Sequence, residues 1–278
     1  MNQWRYYNHA LISNLAPHEI PDTALLADKN TWNAAGKGYP LLARWTTSFD
    51  CGQETNWWYV IKDTPFDLQS VKAKRRYEVN KGIKNFDVRV IDPREYRLEL
   101  YHVQIKAFSA YPEKYRPSVN REKFLQDIDK WSDYVVFGAF SRESGMLCGY
   151  AILERNGERY VKFSVQKTMP EQEKYGLNAA LVFGILQHYA DFLEKGGYIC
   201  DGERSINHET AFQDYLEKYF EFRKAYCLLN VRYRPGLGWM VKLLYLFRKV
   251  LLRFDHVGLV HNINAVLRME TISRKYSE

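Results

Sequence analysis

Alternating and amphipathic runs divide the middle of the chain into a regular succession of strands and helices. Residues 56–62 (NWWYVIK) are dense in β-forming side chains and predict a strand. Asp67 then has the form of a helix N-cap, with Ser70 following. LQSVKAKRRYEVNKGIK carries Leu68, Val71, Val79 and Ile83 as a partial helical stripe. FDVRVID (86–92) alternates and stops before Pro93, which predicts a second strand. Beyond it Leu98, Tyr101, Ile105 and Phe108 share one side of a helix. A proline-containing loop, YPEKYRPSV, then leads to a short helix capped by Asn120.

Three strand-like runs come next, YVVFGAF, MLCGYAILE and YVKFSVQ. They are separated by SRESG and RNGE, whose glycines suit tight hairpin turns, so the three predict an antiparallel meander. KTMPEQEKYG breaks the pattern. LNAALVFGILQHYADFLEK reads as one long, mostly buried helix ended by Gly196-Gly197. YICDG predicts a short buried strand, and a helix capped by Ser205 or Asn207 runs on through Tyr219. FRKAYCLLNVRYR predicts a final long strand, closed by Pro235 and Gly236.

Residues 237–254 (LGWMVKLLYLFRKVLLRF) are the most apolar stretch, but Lys242, Arg248, Lys249 and Arg253 interrupt them. A membrane-spanning helix needs about 20 uninterrupted apolar residues, which this stretch does not supply. Two readings stay open: an amphipathic helix lying on a membrane, or a helix packed on the protein or a partner chain. Charge sharpens the question. From Phe222 to Glu278 there are eleven Lys or Arg against three Asp or Glu, a surplus of eight in a chain whose total is +7. A basic tail on a near-neutral body points to an anionic partner, a membrane surface or nucleic acid, unless it is a solvated face.

Composition excludes some classes. Cys51, Cys148, Cys200 and Cys227 form no CxxC pair and the histidines lack ligand spacing, which argues against a zinc site. Three of the cysteines lie in apolar strand-like runs, where a thiol serves as a small hydrophobe. The opening residues, MNQWRYYNHALISNLAP, lack the basic and apolar regions of a signal peptide, so a reducing cytoplasm is the expected location, with the inner membrane surface open to the tail. Aromatic residues are 15% of the chain, a content that fits deep clefts and adhesive interfaces.

The order of meander, irregular loop, long helix, short strand, helix and long strand resembles the core of GNAT acyltransferases. VKAKRRYEVNKGIKNFDVRVID, GYAILERNGERYVKFSVQ and EKYGLNAALVFGILQHYADFLEKGGYICDGE resemble segments of the Fem-type branch, over roughly residues 56–235. The resemblance implies an α/β (α+β) fold with a mixed, mainly antiparallel sheet flanked by helices. It implies a partial N-terminal GNAT-like subdomain over 1–92, an acyltransferase core over 93–235 and a basic amphipathic helical tail over 236–278. The implied activity is N-acyl transfer from acyl-CoA, or a similar donor, to an amine of a small-molecule or lipid-linked glycan acceptor. Fem-type relatives take their donor from aminoacyl-tRNA, which keeps tRNA open as a partner. A catalytically silent binding module with the same fold is a third reading.

GNAT enzymes seat the coenzyme A pyrophosphate on a glycine turn at a helix N-terminus, where free N–H groups and the helix dipole hold an anion. The matching segment here is Glu173-Lys174-Tyr175-Gly176-Leu177-Asn178, in which Glu173 stands where the family has a basic or amide residue and Asn178 where it has a small one. Lys167 and Lys174 are the cations available to offset Glu173. With Val165 on the preceding strand, they complete the implied donor-binding set with Tyr175, Gly176 and Leu177. The resemblance places the oxyanion-holding backbone N–H within Phe163–Val165 and the acid that protonates the leaving group at Tyr215 or Tyr219, whose alternative is helix packing. The cluster DGERSINHET adds Asp201, Glu203, Asn207 and His208 as groups that can position or deprotonate an acceptor. For Asn207 and His208 the alternatives are a helix cap and an exposed first-turn residue. Arg75 and Arg76, on the basic helix, are either seats for a phosphate-bearing acceptor or part of a solvated face.

Overall fold

The computed structural model describes residues 3–33, 38–206 and 211–275. In chain order β1 (Trp4–Tyr7), β2 (Ala10–Ser13), α1 (Lys29–Asn33), β3 (Leu42–Thr47) and β4 (Trp57–Lys62) come first. They are followed by α2 (Ala73–Asn85), β5 (Phe86–Ile91), α3 (Arg97–Ser109) and α4 (Arg121–Asp127). Next come β6 (Val135–Ser141), β7 (Leu147–Asn156), β8 (Tyr160–Thr168), α5 (Pro170–Glu173), α6 (Leu177–His188) and α7 (Ala190–Glu194). The chain ends with β9 (Tyr198–Glu203), α8 (Ala211–Phe220), β10 (Arg223–Tyr233), α9 (Gly238–Leu246), α10 (Arg248–Leu251) and α11 (Gly258–Arg274). The pairing is mainly antiparallel and helices flank the strands, which is the expected α/β class.

These elements gather into two compact units. One takes the residues up to Tyr59, Glu203–Ile206 and the chain from Lys224 on; the other takes Val60–Gly202 and Ala211–Arg223. In the second unit β5, β6, β7 and β8 form the antiparallel meander, and β9 joins β8 in parallel. Consecutive strand residues point to opposite faces, and β6 uses both. Val136 enters the core beneath α3 with Leu100, Val103 and Ile152, while Phe137 meets the rings of His188 and Tyr189 at the end of α6. α6 is apolar almost all round because it is covered on two sides. Leu181, Val182, Ile185 and Leu186 are buried, and Gly82 of α2 lets that helix approach its first turn. A Cβ at Gly82 would collide with the Gly176 carbonyl and stand 2.9 Å from the Ala180 nitrogen.

The first unit pairs β1 with β2 antiparallel, β2 with β3 parallel and β3 with β10 antiparallel. Trp4, Leu11, Leu26, Trp32 and Ala43 form one core there, and Trp57, Cys227, Leu229 and Ile272 a second beneath α11. Glu270 of α11, 9% exposed, accepts a 2.5 Å hydrogen bond from the Tyr233 hydroxyl and a 2.7 Å bond from Arg274 Nε.

Three local expectations need correction. Asp67 does not cap α2. Its carboxylate accepts from the Gln69 N–H at 2.8 Å in a local turn, and the helix begins only at Ala73 after an extended Lys72. The single long helix after Gly176 is two, because Tyr189 (φ −96°, ψ 11°) leaves helical geometry to bury its ring against Phe137, His188 and Phe192. The apolar stretch 237–254 is likewise broken, at Phe247, into α9, α10 and a final 3-10 turn. Asn120 does cap α4, accepting from Lys123 N–H at 2.9 Å, and Gly196 ends α7 with φ 82°. Among the described residues no helix is long and apolar enough to cross a membrane, and no cluster of His, Cys, Asp or Glu could hold a metal ion.

Candidate functional site

The meander creates the site through one irregularity and one divergence. Val165 of β8 lies opposite Ile152 and Phe163 lies opposite Leu153, so Ser164 has no partner of its own and forms a β-bulge. β8 pairs with β9 only from Tyr160 to Lys162. From Phe163 to Thr168 it keeps β7 on one side and has lost β9 on the other. Backbone groups on that side therefore open onto a cleft of about 330 Å3, lined by β8 residues together with Asn178, Asp201 and Phe212.

Each wall of this cleft has a distinct character. The rings of Phe163 and Phe212 meet edge to face at 5.6 Å and make an apolar wall. Asp201 stands on β9 just past the last paired residue, Cys200. Its half-buried carboxyl has its pKa pushed up to about 7 by burial, against a weaker opposing hydrogen bond from Gln213. Lys167, at the other end of β8, has its pKa lowered by burial, and its ammonium lies 5.1 Å from the centre of the Phe108 ring. The bulged Ser164 donates to Glu154 Oε1 at 2.5 Å, and Lys162 Nζ donates to the same carboxylate at 3.0 and 3.2 Å. Beside them Asn178 Oδ1 accepts from Gln166 Nε2 at 2.9 Å and from Thr168 Oγ1 at 3.2 Å. Gln166 Oε1 is buried without a partner.

Of the residues singled out in the sequence, the stretch Phe163–Val165, Lys167, Asn178 and Asp201 come together in this cleft. Tyr215 does not line it. Its ring stacks on that of Phe212, which does, and the Tyr219 ring centre lies 5.0 Å from its own. Burial, with the nearby Tyr219, Glu78 and Glu173, raises the Tyr215 pKa far above its ordinary value. Arg75 is half-buried on α2, and Arg76 is bonded to the side chain and carbonyl of Gln69. Glu203 belongs to the other compact unit, where it pairs with Arg44. Asn207 and His208 lie outside the described residues.

The segment expected to seat a pyrophosphate is a turn of helix. The N–H groups of Gln172, Tyr175 and Gly176 donate to the carbonyls of Met169, Gln172 and Glu173. Gly176 is left-handed (φ 85°) and Leu177 is fully buried, so these two residues can offer a ligand only backbone. Glu173 Oε1, 3.1 Å from Thr168 Oγ1, shares that hydroxyl's one proton with Asn178, Lys174 folds over the exposed Tyr175 ring, and Asn85 Nδ2 donates to the Tyr175 carbonyl at 3.2 Å. What remains for an anion is the first-turn N–H groups of α6, with α2 packed against one side and the Glu173 carboxylate nearby.

Phe212, the Glu154 partner of Ser164, and the bonds that tie Gln166 and Thr168 to Asn178 went unnoticed in the sequence. Ser164 sits at the bulge in β8, and a bulge leaves no mark on alternation that a single sequence displays.

The sequence matches no protein-family model and no curated protein. Among solved structures it is similar to L-PGS from Bacillus licheniformis, at 17% identity, covering 88% of this chain and 84% of that one with a TM-score of 0.48. It is similar to FemX at 11% identity, covering 60% and 59%, with a TM-score of 0.44. A GCN5-related N-acetyltransferase from Sphaerobacter thermophilus gives 13% identity, 70% and 61% coverage and a TM-score of 0.38. Likenesses this distant assign no activity to the chain.

Proposed function

We propose that the chain is an N-acyltransferase, moving an acyl group from acyl-CoA or a similar activated donor to an amine of a cell-envelope or glycan precursor. The observation that carries this reading is Asp201, a carboxyl with a pKa of about 7 set where β8 and β9 part. A general base works best when its pKa lies near the working pH, because the base form is populated and still basic enough to take a proton. In this reading Asp201 takes the proton of the attacking amine. Backbone N–H groups of Phe163–Val165, bared by the divergence, hold the developing oxyanion. Phe163 and Phe212 exclude water from the acyl chain. Tyr215 or Tyr219 returns a proton to the leaving group; Tyr215 lies behind Phe212, and burial keeps its hydroxyl protonated across the physiological range.

A second reading has its own support. Coenzyme A recognition would rest on the loop before α6, and there the N–H groups of Gln172, Tyr175 and Gly176 are already engaged. An aminoacyl-tRNA donor would anchor its phosphates elsewhere and need only the cleft for its acyl end. Thermal unfolding with acetyl-CoA, longer acyl-CoAs and free coenzyme A separates the two. A ligand at about 100 times its Kd stabilises by about 2.7 kcal/mol, which for a chain of this size raises Tm by roughly 5–10 °C. No shift at millimolar ligand removes coenzyme A as donor. Unchanged transfer rates in both Tyr215→Phe and Tyr219→Phe would remove the two tyrosines from the reaction.

A further inference from the structure

We propose that α9 and α10 dock this chain onto an anionic lipid surface. The inference is independent of the acyltransferase reading and begins with what the two helices leave uncovered. Their inner side is committed to the protein. Val241 is buried, and the Tyr245 ring is covered by Arg248 and by Arg274 of α11, each guanidinium 4.2 Å from its centre. The outer side of α9 carries Trp239, Leu243 and Leu246, spaced four and three residues apart and so along one side of that helix, and Val250 follows on α10. Phe247 and Phe254 extend it. All six are exposed, Trp239 to 67% and Leu246 to 72%. A soluble face seldom leaves this many large apolar side chains contiguous and bare, and such patches mark interaction sites.

Charge selects the occupant. Between Arg234 and Phe254 there are five cations and no carboxylate, Asp255 being the first acid. Lys242, Lys249 and Arg253 are exposed and stand beside the apolar row, in the position from which long basic side chains reach phosphate headgroups while their stems follow the apolar surface. A second copy of this chain would set these three cations against three across a shared apolar face, which disfavours self-association there. α9 has nine residues and α10 four, far short of a span, so the pair lies along the surface.

Flotation of the full chain with vesicles tests this, comparing phosphatidylcholine alone with phosphatidylcholine containing phosphatidylglycerol. The parent is expected to float only with the anionic vesicles. Binding should weaken steeply as salt rises from about 0.1 to 1 M, where the screening length falls from roughly 10 to 3 Å. Replacing Lys242, Lys249 and Arg253 together by alanine is expected to weaken binding about a hundredfold, at roughly fivefold per cation. The pair Leu246→Glu with Phe247→Glu should abolish it. Both variants alter exposed side chains, so their circular dichroism melts should match the parent. Equal flotation with neutral vesicles, or retained binding in both variants, overturns the proposal. So does a parent that fails to float and elutes as a dimer that Leu246→Glu with Phe247→Glu makes monomeric, because the face is then a contact between copies.

Discussion

Asp201 is the residue whose replacement tests the cleft most directly, because its raised pKa has a cost in stability that can be measured without any substrate. Its pKa goes from 3.8 to about 7 on folding, through burial. Each unit is worth about 1.36 kcal/mol, so the full shift corresponds to about 4 kcal/mol of penalty on the charged form. Water reaches the half-buried side chain from the cleft, and about 2 kcal/mol is the figure expected in solution. Between the unfolded and folded pKa values the native state holds a proton that the unfolded state has released, so stability falls as pH rises from about 4 to 7 and is level above that. Asp201→Asn keeps the shape and a polar partner for Gln213 but removes the titration. Thermal unfolding of parent and variant at pH 5 and pH 8 isolates this one group. The parent should lose about 1–2 kcal/mol more than the variant over that interval, roughly 3–6 °C in Tm. Transfer activity should fall about 10²–10⁴-fold in the variant at pH 8. Parallel pH dependences in the two proteins would refute the burial argument. Full activity in the variant would refute the role of base.

Two further substitutions probe the frame around the site. Gly82→Ala should destabilise by about 1–3 kcal/mol in urea unfolding, because the new methyl meets the Gly176 carbonyl and α6 backbone rather than a flexible side chain. A stabilised variant, as helix propensity alone predicts, would show that α2 and α6 are not in contact there. Tyr233→Phe should cost about 1.5–3 kcal/mol, since it withdraws one of two donors from the nearly buried Glu270 carboxylate; a neutral result would mean that water replaces the hydroxyl.

How far these features could be read beforehand depended on whether a local pattern carried them. The meander, α6 and β10 were legible because their apolar runs are long and their turns hold Gly145 and Gly157 in left-handed conformations that few other residues adopt. β1 and β2 were not, since four residues are too few for alternation to register. α11 falls within the helical tail expected over 236–278, but its own bounds and buried face were not legible, for a different reason. Its buried face includes Asn264 and Glu270, so the stripe that would announce a helix is interrupted by polar residues. Those residues are held by tertiary partners, Asn264 Nδ2 donating to the Leu251 carbonyl and Asp255 while its Oδ1 stays unpartnered, and Glu270 accepting from Tyr233 and Arg274. Tertiary bonds of that kind have no sequence signature.

The cleft shows the same limit at the level of chemistry. Asp201 was legible as a polar residue closing an apolar strand, a position where loops and strand ends carry function. What makes it a candidate base is not its neighbours in sequence but the loss of pairing after Lys162, which opens the cleft that Asp201 lines together with β8 residues. The bulge at Ser164 and the divergence of β9 are parts of one distortion, because an extra residue in β8 shifts every side chain beyond it relative to β7 and re-aims the strand. If that is the origin of the site, deleting Ser164 should restore regular β7–β8 pairing and close the cleft, with donor binding lost and the fold retained. Ser164→Ala keeps the extra residue and should leave the cleft open, weakening only what the Glu154 hydrogen bond holds in place.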